Sequence, residues 1–196
     1  MKLLLFFVPM LSGVLAFAAP PPRPAVPVIF DTDIGNDVDD CLALAILHAF
    51  ASRGEIRLAA VTITKDNPWA ARLASAIDIF YGRPNVPIGV VHDGQTKDVG
   101  YLKKAIDAGR YPYRDHPEDA VTVLRRVLQS EMDSSVVIVQ VGFSTNLARL
   151  LDSPGGRALA ARKVSRLVLM AGDFAGGGPE YNVKTDIPSA QKLAAG

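Results

Sequence analysis

A doubly wound, Rossmann-like α/β fold, its sheet mostly parallel with helices on both faces, is the class that this 196-residue sequence predicts. Three observations predict it. Short runs rich in Val and Ile alternate with segments of helical pattern, the order of repeated βαβ units. Several of those runs are apolar at nearly every position, as strands covered on both faces should be. The first run leads into "DTDIGNDVDD" (Asp31–Asp40), and in an open parallel sheet ligands bind just beyond the carboxyl ends of the strands.

The elements follow in order. "VPVIF" (Val26–Phe30) reads as the first strand, and "DDCLALAILHAFAS" (Asp39–Ser52) as the helix after it. Cys41, the only cysteine, falls on what reads as the buried face of that helix and is expected to be a small core residue. "RLAAVTI" (Arg57–Ile63) is the second strand and Pro68–Tyr81 its helix. "VPIGV" (Val86–Val90) is the third strand. Val91–His116 is polar and rich in Gly and Tyr, long for a connection in a compact domain, and reads as a functional or mobile loop. A helix over Pro117–Gln129, a strand "VVIVQV" (Val136–Val141), helices over Thr145–Leu151 and Gly156–Lys163, and a strand "RLVLMA" (Arg166–Ala171) complete the series.

Charge is nearly balanced, 21 Lys and Arg against 20 Asp and Glu, and the basic residues are scattered singly, so no footprint for nucleic acid is present. With a single cysteine no intrachain disulfide forms, and stability must come from packing. The N-terminus reads Lys2, an apolar run, then Ala16-Phe17-Ala18, the pattern of a secretory signal peptide cleaved after Ala18. The run is shorter than the roughly 20 apolar residues of a spanning helix, so no stable membrane anchor is expected. The domain plan is therefore a signal over 1–18, a proline-rich leader over 19–25 and one α/β domain over 26–196, in a secreted or periplasmic protein. Nothing in the pattern specifies an oligomeric state, and a homo-oligomer is compatible with it.

Asp31 and Asp33 fall at the end of the first strand, Asp39 and Asp40 at the start of the helix. Carboxylates crowded this closely repel unless a cation lies between them. Oxygen-only donors indicate a hard cation such as Ca²⁺ or Mg²⁺, since no His stands beside them and Cys41 reads as a core residue rather than a ligand. Helix capping accounts for Asp39 or Asp40 but leaves the strand-end pair unexplained. An EF-hand loop counted from Asp31 needs Gly at its sixth position and Glu at its twelfth; the sequence has Asn36 and Leu42. A haloacid-dehalogenase-type phosphatase also begins with strand-DxD but matches poorly at Gly35.

"DTDIGNDVDDCLAL" resembles the Asp-rich signature of the inosine–uridine-preferring nucleoside hydrolases. "VTITKDN", "VQVGFSTNLARLL" and "LVLMAGDFAGGGPEYNVKTDIPSAQKL" resemble further segments of that family in the same order, from about Val26 to the C-terminus. The resemblance implies a Rossmann-like fold and Ca²⁺-dependent hydrolysis of the N-glycosidic bond of ribonucleosides. Asp33 and Asp40 would ligate Ca²⁺ with the backbone carbonyl of Thr145, Asp33 would also act as general base, and Asp31 would support the metal as ligand or from behind it. Asp39, Asn67, Glu180 and Asn182 would bind the ribose hydroxyls.

Departures from the family pattern bear on these roles. Two extra residues precede Asp39–Asp40, so Asp37 competes for the role given to Asp39. Gly176–Gly178 replaces an Asn, and His92 reads as a solvated loop histidine. Family members continue to a His-Asp pair beyond the point reached here, so the chain resembles their front two-thirds. The competing readings are a Ca²⁺-dependent nucleoside or sugar-binding protein without catalysis and a metal-dependent phosphatase.

Overall fold

The computed structural model describes residues 24–195 apart from 110 and 116. The expected signal peptide and most of the proline-rich leader lie outside the described residues. Six strands, β1 (Val26–Thr32), β2 (Ile56–Ile63), β3 (Ile88–Val90), β4 (Glu118–Asp119), β5 (Val136–Gln140) and β6 (Val164–Leu169), form one sheet in the order β4-β3-β2-β1-β5-β6. Every pairing is parallel. The chain steps outward from β1 through β2, β3 and β4, then returns to the other side of β1 with β5 and β6. The direction of winding reverses between β1 and β5, which makes their carboxyl ends the switch point of the sheet.

Among the described residues eight helices accompany the strands: α1 (Asp39–Ser52), α2 (Pro68–Phe80), α3 (Leu102–Gly109), α4 (Ala120–Ser130), α5 (Thr145–Asp152), α6 (Gly156–Lys163), α7 (Tyr181–Thr185) and α8 (Ile187–Ala194). Period-two alternation sends neighbouring strand residues to opposite faces. Phe30, Val61 and Ile63 join Leu44, Ala70, Ala74 and Leu102 from α1, α2 and α3 in one core. Ile29, Ala60 and Ile138 join Leu124, Leu128, Leu147 and Leu159 from α4, α5 and α6 in the other. The central strands β1 and β2 are buried at successive positions because both their faces are covered, as the sequence indicates, whereas the edge strand β6 leaves Leu167, Val168 and Leu169 exposed.

Several expectations are corrected. The segment expected as a loop over Val91–His116 contains α3, which docks through Leu102 and Ile106 one turn apart while Lys103 and Asp107 pair on its outer side. Two large apolar residues in an octet whose other members are small or charged are too weak a period to see. The expected strand Val86–Val90 begins only at Ile88, since Pro87 has no N–H to donate and serves the ladder through its carbonyl, which accepts from Val61 N. The helix expected from Pro117 begins at Ala120, with Asp119 Oδ1 capping it at 2.9 Å from Thr122 N and Glu118–Asp119 pairing with β3. The last strand runs over Val164–Leu169, two residues earlier than expected, and α7 and α8 follow it unforeseen. Cys41 is half-buried at the rim of the core, its Sγ 3.2 Å from the Tyr101 hydroxyl. His92 is exposed, as expected. Among the described residues no helix is long and apolar enough to cross a membrane.

Candidate active site

One open cleft of about 530 Å³ lies at the carboxyl ends of the strands. The turn between β1 and α1 contributes Asp33, Asn36, Asp37, Asp39 and Asp40, the segment before α3 contributes Asp98 and Gly100, and the chain beyond β6 contributes Met170, Glu180, Tyr181 and Asn182. A hollow of similar size at the other end of the sheet is lined by Arg57, Arg83 and Arg126, but Arg57 and Arg126 are already paired with Glu131 and Glu118.

The cleft exists because the ends of β1 and β5 come unusually close. Val141 N donates to the Asp31 carbonyl at 2.7 Å, and Gly142 follows. A Cβ on Gly142 would stand 2.5 Å from the Asp33 backbone nitrogen and 2.7 Å from the carbonyl carbon of Thr32, so only glycine permits this approach. Thr32, buried beneath the turn, does two jobs with one hydroxyl: it accepts from Ile34 N at 3.0 Å and donates to Asp40 Oδ1 at 2.8 Å. That bond turns the Asp40 carboxylate inward from the first turn of α1. Asp39 Oδ1 accepts from Asp40 N at 2.9 Å, and the residue at the helix cap is Val38, whose side chain caps nothing. Capping therefore does not explain the acidic pair.

The carboxylates are electrostatically uncomfortable. Burial pushes Asp33 up to about 6 against the pull of the Lys65 ammonium, with Asp37 and Asp39 adding repulsion. Burial and the neighbouring Asp33 push Asp40 up to about 7, opposed by the Thr32 hydroxyl. Asp37 is also raised, chiefly by the neighbouring Asp39 carboxylate. Carboxylate oxygens of Asp37, Asp39 and Asp40 lie within 4.8 Å of one another. An all-oxygen donor set gathered this tightly, with Asp33 and Asp40 raised first by burial and then by neighbouring carboxylates, fits a hard divalent cation, which would relieve the repulsion among them.

The other expected residues are placed as follows. Asp31 lies wholly buried, its Oδ1 accepting from Thr62 Oγ1 at 2.5 Å and Asn146 Nδ2 at 2.8 Å while Oδ2 has no partner among the described residues. Burial pushes it up to about 7. It does not line the cleft. Asn67 caps α2, accepting from Ala70 N at 2.9 Å, and donates to the Asp98 carbonyl at 2.7 Å; both ends of its amide hold the wall of the cleft. Thr145 is buried at the first position of α5, and its hydroxyl donates to Asp186 Oδ2 at 2.5 Å. Neither Asn67 nor Thr145 borders the cleft directly.

Glu180 and Asn182 do border it. Burial raises Glu180, but backbone N–H groups of Asn182, Val183 and Gly172 at 2.7, 3.0 and 3.1 Å outweigh that and hold its carboxyl below the usual range. Asn182 Nδ2 donates to the carbonyls of Val141 at 2.8 Å and Met170 at 3.0 Å, joining the ends of β5 and β6. Sequence reasoning missed Thr32, Asn36, Lys65, Asp98 and Tyr181. Lys65 had a visible signal: a lysine in the otherwise uncharged run "VTITK" at a strand end.

The model of the inosine-uridine preferring nucleoside hydrolases matches residues 28–195. The chain belongs to that family. It is 28% identical over 183 residues to the pyrimidine-specific ribonucleoside hydrolase RihA of Enterobacter sp. (strain 638), an alignment that covers 85% of this chain and 56% of the relative. The fold is shared with the inosine-uridine preferring nucleoside hydrolase of Bacillus anthracis (TM-score 0.67, 20% identity, 86% of this chain and 61% of that one). It is likewise shared with the type III effector protein XopQ, solved in complex with adenosine diphosphate ribose (TM-score 0.70, 22% identity, 89% and 53%). The chain thus spans somewhat more than half the length of the relatives it matches.

Proposed function

We propose that the protein hydrolyses the N-glycosidic bond of ribonucleosides, giving ribose and free base, with Ca²⁺ held in the acidic cleft. The observation that carries this reading is the convergence, in a member of this family, of Asp33, Asp39 and Asp40 with Glu180 and Asn182 on one cleft at the sheet's switch point. Asp33, Asp37, Asp39 and Asp40 are the residues that would hold the cation. Six to eight oxygen ligands suit Ca²⁺ better than the strict octahedron of Mg²⁺. Bound there, the cation would acidify a water molecule in the cleft.

The chain's own residues supply the remaining steps. Asp33, which lines the cleft, would accept the proton of the attacking water. The water oxygen bonds to the anomeric carbon as the C–N bond breaks, through an oxocarbenium-like state. The bonding electrons leave with the base, whose nitrogen takes up a proton from solvent, and Asp33 returns its proton to solvent. Ionised Glu180, which also lines the cleft, offsets the positive charge that develops on the sugar ring. In this reading Asp39, Glu180 and Asn182, which line the cleft, receive ribose hydroxyls, and Asn67 acts by holding Asp98 in place. Thr145 is assigned a carbonyl ligand by the family resemblance and would act from behind the cleft wall.

Asp33→Ala tests the mechanism. Release of base from inosine and uridine should fall by on the order of a thousandfold, general-base loss compounded with loss of a ligand, while circular dichroism is unchanged. Near-normal turnover would remove Asp33 from the role. A second reading, nucleoside binding without turnover, draws on Asn67, both of whose amide ends are already bonded within the chain. Saturable calorimetric binding of inosine with no base released would select it. Family membership leaves the phosphatase reading without support. We further propose export through a signal at Met1–Ala18, which N-terminal sequencing of the protein from its native host would test, and assembly as a homo-oligomer, testable by light scattering.

A further inference from the structure

Lys65 is fully buried two residues beyond β2, and the proposed reaction does not use it. Buried lysines are rare unless paired. Among the described residues Lys65 makes no direct ion pair; its Nζ donates to Asn36 Oδ1, and Asn36 Nδ2 donates to Asp33 Oδ2 at 3.2 Å. The order of this relay is chemically forced. An ammonium only donates, so the amide must turn its oxygen toward Lys65, and the amide's N–H₂ then faces the carboxylate, which only accepts when ionised. Asn36 lines the cleft and Lys65 stands behind it. The turn carrying Asn36 is fixed on its far side by Tyr101, whose N donates to the Gly35 carbonyl and whose hydroxyl donates to the Asp37 carbonyl at 2.9 Å.

The charges around the relay point the same way. Burial works against the charged form of Lys65 and lowers its pKa, while Asp33, Asp98, Asp40 and Asp37 favour the ammonium, which in turn opposes their mutual repulsion.

We propose that Lys65 is a positioning residue for the hydrolysis: through Asn36 it orients the Asp33 carboxylate, and its buried ammonium is the resident counter-charge against which a divalent cation binds. The proposal rests on the nucleoside-hydrolase reading for its kinetic half and on the acidic cleft alone for its electrostatic half. A lysine that merely filled space would leave cation affinity unmoved; a counter-charge lowers it.

The test compares Lys65→Met, Lys65→Arg, Asn36→Ala and the Lys65→Met/Asn36→Ala double variant in the whole chain. Ca²⁺ binding is measured by calorimetry at low ionic strength, and base release from inosine at saturating Ca²⁺. Lys65→Met should bind Ca²⁺ about tenfold more tightly, since one positive charge facing a dication has gone. Its kcat should fall about tenfold at unchanged KM, as expected for a misplaced general base. Lys65→Arg, which keeps charge and donor, should restore most of kcat. Asn36→Ala should lose kcat to the same degree with little change in Ca²⁺ affinity, and the double variant should be no slower than Asn36→Ala alone. Unchanged or weaker Ca²⁺ binding in folded Lys65→Met overturns the counter-charge, and additive losses in the double variant overturn the relay. Should Lys65→Met fail to fold, Asn36→Ala with normal kcat overturns the relay, and Lys65→Gln replaces it in the titration. Absence of turnover in the unsubstituted chain would overturn the hydrolase reading and the kinetic half with it, while the Ca²⁺ titration still decides the counter-charge.

Discussion

Replacing Thr32 by Val keeps the shape of a buried side chain and deletes one oxygen atom that links the strand end to the cluster. Two bonds are lost together: the donation to Asp40 Oδ1 at 2.8 Å and the acceptance from Ile34 N at 3.0 Å. A hydrogen bond to a charged group contributes roughly 1.5–3 kcal/mol, and a buried N–H left without an acceptor costs roughly 1–3 kcal/mol. The added methyl recovers part of this by burial, about 0.8 kcal/mol. A net destabilisation of about 2–5 kcal/mol is expected from these terms.

The same change has a second, pH-dependent consequence. The Thr32 hydroxyl favours the ionised form of Asp40, already pushed up to about 7 by burial and by Asp33. Without it Asp40 holds its proton to higher pH, and an incoming cation must displace that proton. Ca²⁺ affinity should therefore fall by about tenfold, the equivalent of one pKa unit, at pH 7 and recover by pH 9. Calorimetric titration of both proteins at pH 6.5, 7.5 and 9 reads this directly. Wild-type Ca²⁺ affinity for Thr32→Val at pH 7, in a folded protein, would refute the claim that Thr32 orients and ionises Asp40.

Three further outcomes are expected. Gly142→Ala should destabilise by more than about 3 kcal/mol in denaturant unfolding, because its Cβ meets the backbone of β1 at Thr32 and Asp33 and neither strand can retreat. The metal-free protein should lose stability as pH rises from about 4 to 7: Asp33, raised to about 6, and Asp31 and Asp40, raised to about 7, hold protons in the folded state that the unfolded chain releases at about 4. Saturating Ca²⁺ should reverse that trend near neutrality, and thermal melts across pH with and without chelator would show it; a metal-free melt that rises over the same range contradicts the raised values. Asp78→Ala should cost about 3 kcal/mol by stranding His48, with which Asp78 is paired at 2.8 Å in the interior, while Ca²⁺ binding to the folded protein is unchanged. Loss of Ca²⁺ affinity in that variant would show that the interior pair and the cleft are coupled.

What the sequence determined by itself is the part of this protein governed by local pattern. Apolar runs at Val26–Phe30 and Val136–Val141, the second broken only by Gln140, announce strands covered on both faces, and five aspartates in ten residues announce a cation site at the end of the first. Helices α1 and α2 are legible because each carries more than three turns of helical pattern, whereas α3 rests on two apolar residues and α7 on a five-residue turn capped by Glu180. The tertiary structure alone decided which polar groups face the cleft. Asp31 and Asp33 differ by one alternation of a strand, yet burial under Thr62 and Asn146 removes the first from the cleft and leaves the second lining it. Asn67 has the right type and position for a ribose contact, but its amide is engaged by Ala70 and Asp98. Thr32, Asn36 and Lys65 acquire meaning only through bonds to residues up to 29 positions away. Hydrophobic period is a property of consecutive residues and survives in one dimension; hydrogen-bond partnership and desolvation are set by which strand ends the sheet order brings together, and no local pattern encodes that order.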